Sequence, residues 1–422
     1  MGTYLRSSYD ILNKIYREKA FSTEALFKTL DKTENAELVH RLVLGVLDKN
    51  VELEYIISQL TEKMPKPAAV IVLKQGLYCL KYMNSLPDYA VIDGSVELIK
   101  HIGKRQLAGF VNAVLKKAAR GEYQMPADDN SAFSLSIKYS KPQWLVEKLT
   151  ADYGLDTAVK IIAEPPFALT HIRPNKLVWD KNRLEKYLNS IGAEFYPTAV
   201  GGFAVKLSPK IKQLFRDGKI TYQSATSMYA VKALDVKNGM RVLDICAAPG
   251  GKSVLIAESN PDGEIIACDL YPHRVELINA YARRMNVKNI FPRDCDATIF
   301  NPEFEGRFDR VLVDAPCSAL GIVRKQPDIL LNRKPEDIDT LAELQLEILT
   351  NASKYLKKDG ILIYATCTLT KEENGDNAAR LLAADKTLKL ISVDLPDGEN
   401  GTVQFLPDKE TDGFYVAKFV KL

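Results

Sequence analysis

The sequence predicts a chain in three parts: an all-helical N-terminal domain, a small α+β module and a C-terminal doubly wound α/β domain. Three observations carry this reading. At 422 residues the chain exceeds what one ordinary core holds. Up to about residue 122, apolar residues recur every three or four positions with little alternation. From residue 240 onward, short apolar runs alternate with amphipathic stretches, the pattern of strands crossed by helices.

Residues 1 to 125 form the helical part. In "VLKQGLYCLKYM" and "GSVELIKHIGKRQLAGFVNAVLKKAA" the apolar positions share one helical face. Between 100 and 120, Lys100, Lys104, Arg105, Lys116, Lys117 and Arg120 occur with no acid, while Phe110, Val111, Val114 and Leu115 fit a buried stripe. A basic face beside a core suits RNA, with a plain solvated face as the competing reading. The polar "GEYQMPADDNSAFS" (121 to 134) interrupts the helices and reads as a linker. From 135 to 225 the patterns mix: "KPQWLVEKLTADYGLDTAVKIIAE" looks helical, and "FALTHIRPNKL" and "GGFAVKLS" look like strands around the helical "KNRLEKYLNSIG". Within 226 to 422, "MRVLDIC", "GEIIACDL", "FDRVLVDA" and "GILIYATCT" read as buried strands separated by helices such as "HRVELINAYARRM". That predicts a mostly parallel sheet covered on both faces.

Charge divides the chain in the same way. Up to residue 240 there are 34 Lys and Arg against 25 Asp and Glu, and beyond it 23 against 29. The net +3 therefore combines a front at +9 with a back at −6, which suits a polyanion-gripping region beside a domain with other work. No uncharged apolar run is long enough for a membrane span, and the charged "MGTYLRSSYDILNKIYREKA" lacks the apolar block of a signal peptide, so a cytoplasmic protein without a membrane partner is expected. Six cysteines without a CxxC pair and four histidines without zinc spacing point to neither a disulfide framework nor a metal site. In a reducing compartment, a cysteine that is not core filling is a candidate nucleophile.

In a doubly wound sheet ligands sit beyond the carboxyl ends of the strands. After "RVLDI" comes "CAAPGGKS" (246 to 253), whose small residues let a ligand approach backbone N–H groups at a helix start. It is not a Walker A loop, because Cys246 stands where the first glycine belongs, and no GxGxxG is present. The next strand ends in Asp269, suited to ribose hydroxyls, and "RDCDA" offers Asp294 or Asp296 to an adenine edge, Asp296 being favoured. "VLVDAPCSALG" and "LIYATCT" then bring Asp314, Cys317 and Cys367 to the same sheet mouth. Arg324 and Lys325, just beyond, are candidates to grip phosphate.

A thiolate beside a nucleoside-type loop suits a problem particular to cytosine, whose C5 is a poor nucleophile. Attack of a cysteine on C6 makes C5 enamine-like and able to accept methyl. An acid near N3, such as Asp314, would stabilise that adduct, and the base must be single-stranded or flipped out to be reached. A second cysteine has a use when the enzyme is expelled. The residues alone leave open which thiol attacks.

"DICAAPGGKS", "VDAPCSALGIVRKQPDI", "YATCTLTKEEN" and the terminal "DGFYVAKF" resemble the S-adenosylmethionine-dependent RNA cytosine-5 methyltransferases. "AVIDGSVELIKHIGKRQLAGFVNAVLKK" is similar to the NusB-like RNA-binding domain preceding them in one bacterial subgroup. The resemblance implies a NusB-like helical domain and a Rossmann-like class I methyltransferase domain. It also implies S-adenosyl-L-methionine as cofactor, wrapped by Cys246, Ala247, Ala248, Pro249, Gly250, Gly251 and Lys252, with Asp269 on the ribose, Arg274 as a further contact, and Asp296 near adenine. Asp314 would border cofactor and base. Cys367 would be the nucleophile and Cys317 the group assisting release, on a cytidine of 16S ribosomal RNA in the small subunit. The sequence departs from the pattern at Ser224, where the family has an acid, and at Lys371, where proline is frequent. The alternative is a non-catalytic NusB-like RNA-binding assembly or transcription factor with a vestigial methyltransferase domain; the intact cysteines and loop count against it.

Overall fold

The computed structural model describes residues 3–30, 35–166 and 169–422. Positions 31–34 of the helical region, and Phe167 and Ala168 at the start of "FALTHIRPNKL", lie outside the described residues. The chain forms two compact units: residues up to Ala163 with Val323–Lys334, and Glu164–Ile322 with Pro335–Leu422.

The first unit is helical. On the helix Ala36–Asp48, Val39, Leu42, Val43 and Val46 follow the i, i+3, i+4, i+7 rule and are all fully buried. Pro67 opens the helix Pro67–Tyr82, where its missing N–H leaves no bond unmade. In the helix Ala108–Ala119, Val111, Val114 and Leu115 are buried, but Phe110 is exposed, because it lies a quarter-turn outside the stripe. Lys104, Arg105, Lys116, Lys117 and Arg120 are exposed. The Ser131 hydroxyl caps the helix Ala132–Tyr139 by accepting from Ser134 N–H, so that helix starts inside the polar stretch read as a linker. The helices from Ala132 to Ala163 group with this unit.

Val323–Lys334 belongs to the helical unit although it follows Cys317 closely in sequence. Asp328 accepts from the Ser22 N–H at 3.0 Å and the Ser22 hydroxyl at 2.5 Å, and Leu331 packs on the helical core. This corrects the phosphate-gripping expectation for Arg324, which the folded-back segment buries.

The second unit holds two sheets. The small one has the order β2-β3-β1-β4, with β1 at Thr170–Pro174, β2 at Phe195–Pro197, β3 at Phe203–Val205 and β4 at Ile220–Tyr222. Its pairings are antiparallel, and Ile172, Phe203 and Ile220 pack against Leu184 and Leu188 of the helix Lys181–Ser190. Arg173, on β1, reaches Glu258 at the far end of another helix at 2.6 Å, both side chains being out of solvent. Breaking a pair of this kind leaves one charge buried alone. Glu258→Ala is therefore expected to cost about 3–5 kcal/mol, read as a lower denaturant midpoint for the second unit.

The large sheet has the order β10-β12-β9-β8-β5-β6-β7. Its strands are β5 (Arg241–Asp244), β6 (Glu264–Asp269), β7 (Ile290–Asp294), β8 (Phe308–Asp314), β9 (Leu356–Thr366), β10 (Leu388–Leu390), β11 (Thr402–Phe405) and β12 (Phe414–Lys421). The five strands β9-β8-β5-β6-β7 are parallel, as the buried apolar runs require. β12 is antiparallel to β9, and β10 and β11 pair with β12, so the sheet is mixed. With β6 on one side of β5 and β8 on the other, the chain reverses its order at β5, which places a crevice at that strand's carboxyl end.

Candidate active site

β5 ends at the fully buried Asp244, and residues 245 to 250 lead into the helix Gly251–Glu258. Small residues let this loop lie close to its neighbours: Ala247 N–H donates to the Cys268 carbonyl at 2.7 Å, and Gly250 N–H to the Ala247 carbonyl at 2.7 Å. Gly250 has φ +106°, and a Cβ there would come within 3.2 Å of the Ile278 backbone. Glycine is thus favoured by conformation, and a Cβ there would also have to crowd the Ile278 backbone.

The loop walls a cleft of about 260 Å³ whose other walls include Gln223, Ser224, Tyr281 and the ends of β5 and β8. Among the described residues, two buried polar atoms around it have no partner, Gln223 Nε2 and Asp244 Oδ1. The other Asp244 oxygen accepts from the Ser253 hydroxyl at 2.6 Å. Burial pushes the Asp244 carboxyl up to about 7, opposed by that hydrogen bond and assisted by the nearby Asp314 charge. Ser224, standing where the resembled family has an acid, caps the helix Ala225–Leu234 by accepting from Ser227 N–H at 3.2 Å. An unmatched amide donor, an unmatched carboxyl acceptor and a glycine-lined wall fit a ligand carrying both charges, as the amino-acid end of S-adenosylmethionine does.

The remaining cofactor candidates surround this cleft rather than line it. Asp269 is buried at the end of β6, takes the Ala248 N–H at 3.3 Å and pairs with Arg274 at 3.2 Å, while Arg274 also donates to the Ala248 carbonyl. These two brace the loop. Asp296, after β7, accepts from the Thr298 N–H and hydroxyl at 2.9 and 2.6 Å. Cys246 packs on the hydrophobic cluster of Leu243, Ile245 and Phe308, and burial raises its thiol pKa well above the ordinary range.

Lys252, the second residue of the helix, holds Asp314 at 2.5 Å. Burial alone would lower the ammonium's pKa, but Asp314, helped by Asp244 and Cys367, tips the net shift upward. The lysine is therefore more than a helix-start residue. Asp314 ends β8 opposite Ala365 of the parallel β9, so the segments that leave these strands run side by side. Cys317 and Cys367, fifty residues apart, meet there with their sulfurs 3.3 Å apart. Contact with the Cys367 thiol and burial raise the Cys317 thiol pKa well above its usual value.

Two features of this mouth escape sequence reading. Gly321 N–H donates to the Cys367 carbonyl, and a Cβ on Gly321 would overlap the carbonyl of Gly413, so the glycines of "CSALG" and "DGFYV" are there to let two backbones touch. Glu373, fully buried, accepts from residues on both cysteine loops. Its only signal in sequence is an acid six residues after Cys367.

A family model described as "16S rRNA methyltransferase RsmB/F" matches residues 231–420, and a NusB family model matches residues 6–120. The probable ribosomal RNA small subunit methyltransferase B of Bacillus subtilis (strain 168) is 33% identical, the match covering 98% of this chain and 97% of that one. The chain belongs to the ribosomal RNA small subunit methyltransferase B family. A relative of that name from Escherichia coli (strain SMS-3-5 / SECEC) is 32% identical over 91% of this chain and 90% of its own. Among solved structures, PH0851 superposes with a TM-score of 0.85 at 25% identity, covering 99% of this chain and 98% of that one. A methyltransferase homolog protein from Pyrococcus horikoshii gives 0.59 at 27% identity, covering 69% of this chain and 99% of that one. Membership of the RsmB family accounts for the NusB helical domain ahead of a Rossmann-like domain, and makes S-adenosylmethionine the cofactor. Among the described residues no helix is long and apolar enough to cross a membrane, and no group of three His, Cys, Asp or Glu could hold a metal ion.

Proposed function

We propose that this protein methylates C5 of a cytidine in small-subunit ribosomal RNA through a covalent adduct between Cys367 and C6 of the base. Its family already makes it an S-adenosylmethionine-dependent methyltransferase of ribosomal RNA. The observation carrying the finer reading is the pair of thiols 3.3 Å apart at the ends of β8 and β9, beside Asp314 and the small-residue cleft. Methyl transfer to an oxygen or to an exocyclic nitrogen, which already has a lone pair, needs no such pair.

The cleft residues named above would hold the cofactor: Ala247 to Gly251 by close backbone approach, Gln223 and Asp244 by their unmatched polar atoms, with Asp269, Arg274 and Asp296 behind them. When bound, S-adenosylmethionine supplies an electrophilic methyl group. The Cys367 thiolate adds to C6, forming a C–S bond and moving the C5=C6 electrons onto C5, which becomes nucleophilic. Asp314 accompanies the charge change at N3 and the exocyclic amine. Once C5 bears methyl, loss of its proton to a base re-forms C5=C6 and breaks the C6–S bond, returning Cys367 as a thiolate. Cys317, against the leaving sulfur, assists that release. The exposed cations at 104 to 120 would position RNA phosphate without reading sequence.

The test is transfer of labelled methyl from S-adenosylmethionine to naked small-subunit RNA, with the product nucleoside identified. 5-Methylcytidine is expected. Label in any other nucleoside, or none while cofactor binds, would overturn the reading, the second result favouring a non-catalytic assembly factor.

A further inference from the structure

Glu373 lies in a π-helical turn, Glu372–Asp376, that runs into the helix Asn377–Ala384. Extra turns of this kind re-aim side chains, and this one turns Glu373 and Asn374 inward. One carboxylate oxygen accepts from the Ser318 N–H at 2.8 Å and from Gln345 Nε2 at 3.0 Å. The other accepts from the hydroxyls of Ser318 at 2.5 Å and Thr370 at 2.7 Å. Among the described residues no cation pairs with it. A buried carboxylate without a counter-ion is tolerated when several donors converge on it, and four N–H and O–H groups do so here, while the Thr368 hydroxyl, 3.4 Å from the second oxygen, donates to the Ser318 hydroxyl.

The donors come from three places. Ser318 follows Cys317 directly, whereas Thr368 follows Cys367 directly and Thr370 lies two residues on. Ser318 and Thr368 also share a hydrogen bond at 2.6 Å. Gln345 closes the arrangement from the helix Glu336–Lys354 by donating as well to the Pro316 carbonyl at 2.9 Å, while Tyr364 shares its one hydroxyl proton between Gln345 Oε1 and the Glu373 carbonyl. Each thiol is thus one residue from a group tied to the same carboxylate, Ser318 directly and Thr368 through the Ser318 hydroxyl.

We propose that Glu373 is the positioning residue of this site, its buried carboxylate clamping the Cys317 loop to the Cys367 loop and so holding the two thiols in contact. The role rests on the covalent reading above for its use in catalysis, though not for its geometry. It acts through the cysteines and touches neither substrate nor cofactor. Its charge has a further effect. After the Cys367 contact and burial, Glu373 adds to the upward push on the Cys317 thiol, and Tyr364 is also coupled to that thiol.

Two substitutions separate geometry from charge. Glu373→Gln keeps the shape, with its carbonyl facing the Ser318 and Gln345 N–H groups and its amide facing hydroxyls that can turn to accept. Glu373→Ala removes every anchor. Thiol contact is read without any methyl chemistry, by the rate at which an azodicarboxamide oxidant takes two hydrogens from Cys317 and Cys367 to give their disulfide. The full-length parent and the Gln variant are expected to form it at similar rates, and the Ala variant at least about tenfold more slowly. In transfer assays Glu373→Ala should lose about 100-fold in kcat with KM for RNA and cofactor affinity nearly unchanged, as expected when reacting groups shift by about 1 Å, and Glu373→Gln should recover most of it. With its charge gone, the Gln variant should also alkylate Cys317 from a lower pH upward. Parental disulfide rates in the Ala variant, or equal loss in both variants, would overturn the proposal. If the parent transfers no methyl to C5, the covalent reading fails, while the disulfide rates still decide the role of Glu373.

Discussion

Cys367→Ala is expected to lose methyl transfer by about 10⁴-fold or more while binding S-adenosylmethionine as the parent does. In the proposed mechanism the adduct turns one step that C5 cannot manage into two that it can, so removing the attacking atom would remove the route itself. Cys317 cannot take over merely by being near. Its sulfur touches Cys367 but hangs from the other loop, and contact with Cys367 and burial push its thiol pKa up. Because Cys367 contributes nothing to the walls of the cofactor cleft, equilibrium cofactor binding should separate this chemical loss from misfolding.

Asp314→Asn should carry the second-largest effect, a fall in kcat of about 10²–10⁴-fold. The amide keeps the size of the carboxylate but cannot take or give the proton that the base requires as C6 is attacked. The change also reaches Lys252, whose raised pKa depends most on Asp314. With the carboxylate gone, burial is left largely unopposed and the ammonium deprotonates at lower pH. The Lys252 ammonium in the Asn variant should therefore titrate at lower pH than in the parent, which an NMR titration of the lysine side chain in both proteins would detect. An unchanged kcat would remove Asp314 from the chemistry.

Much of this was legible in the sequence, and the rest failed for identifiable reasons. Buried parallel strands announce themselves as apolar runs, and since ligands gather at their ends, Asp269, Asp314 and Cys367 fall along one sheet edge from the sequence alone, whereas Asp244 does not stand out. The antiparallel β12 was less visible, because an apolar run does not reveal the direction of its partner. Phe110 was assigned to a buried stripe on spacing that fits either side of the true face. Arg324 looked like an RNA contact because charge is usually solvated; only the fold shows Val323–Lys334 joining the helical unit. Glu373 and the Gly321–Gly413 approach depend on contacts between segments far apart in the chain, on which local pattern is silent. Ser224 was noted as a missing acid, and the structure gives it a different task, capping a helix beside the cleft.

The division of labour between the thiols is the centre of this account, and trapping tests it most directly. Cys317→Ala should be incubated with small-subunit RNA and S-adenosylmethionine, resolved on a denaturing gel, and the RNA-bound peptide identified by mass spectrometry. The expected result is a stable protein–RNA complex joined through Cys367, which disappears when Cys367→Ala is added to the same chain. A complex that survives the loss of Cys367, or one joined through another residue, would contradict the account.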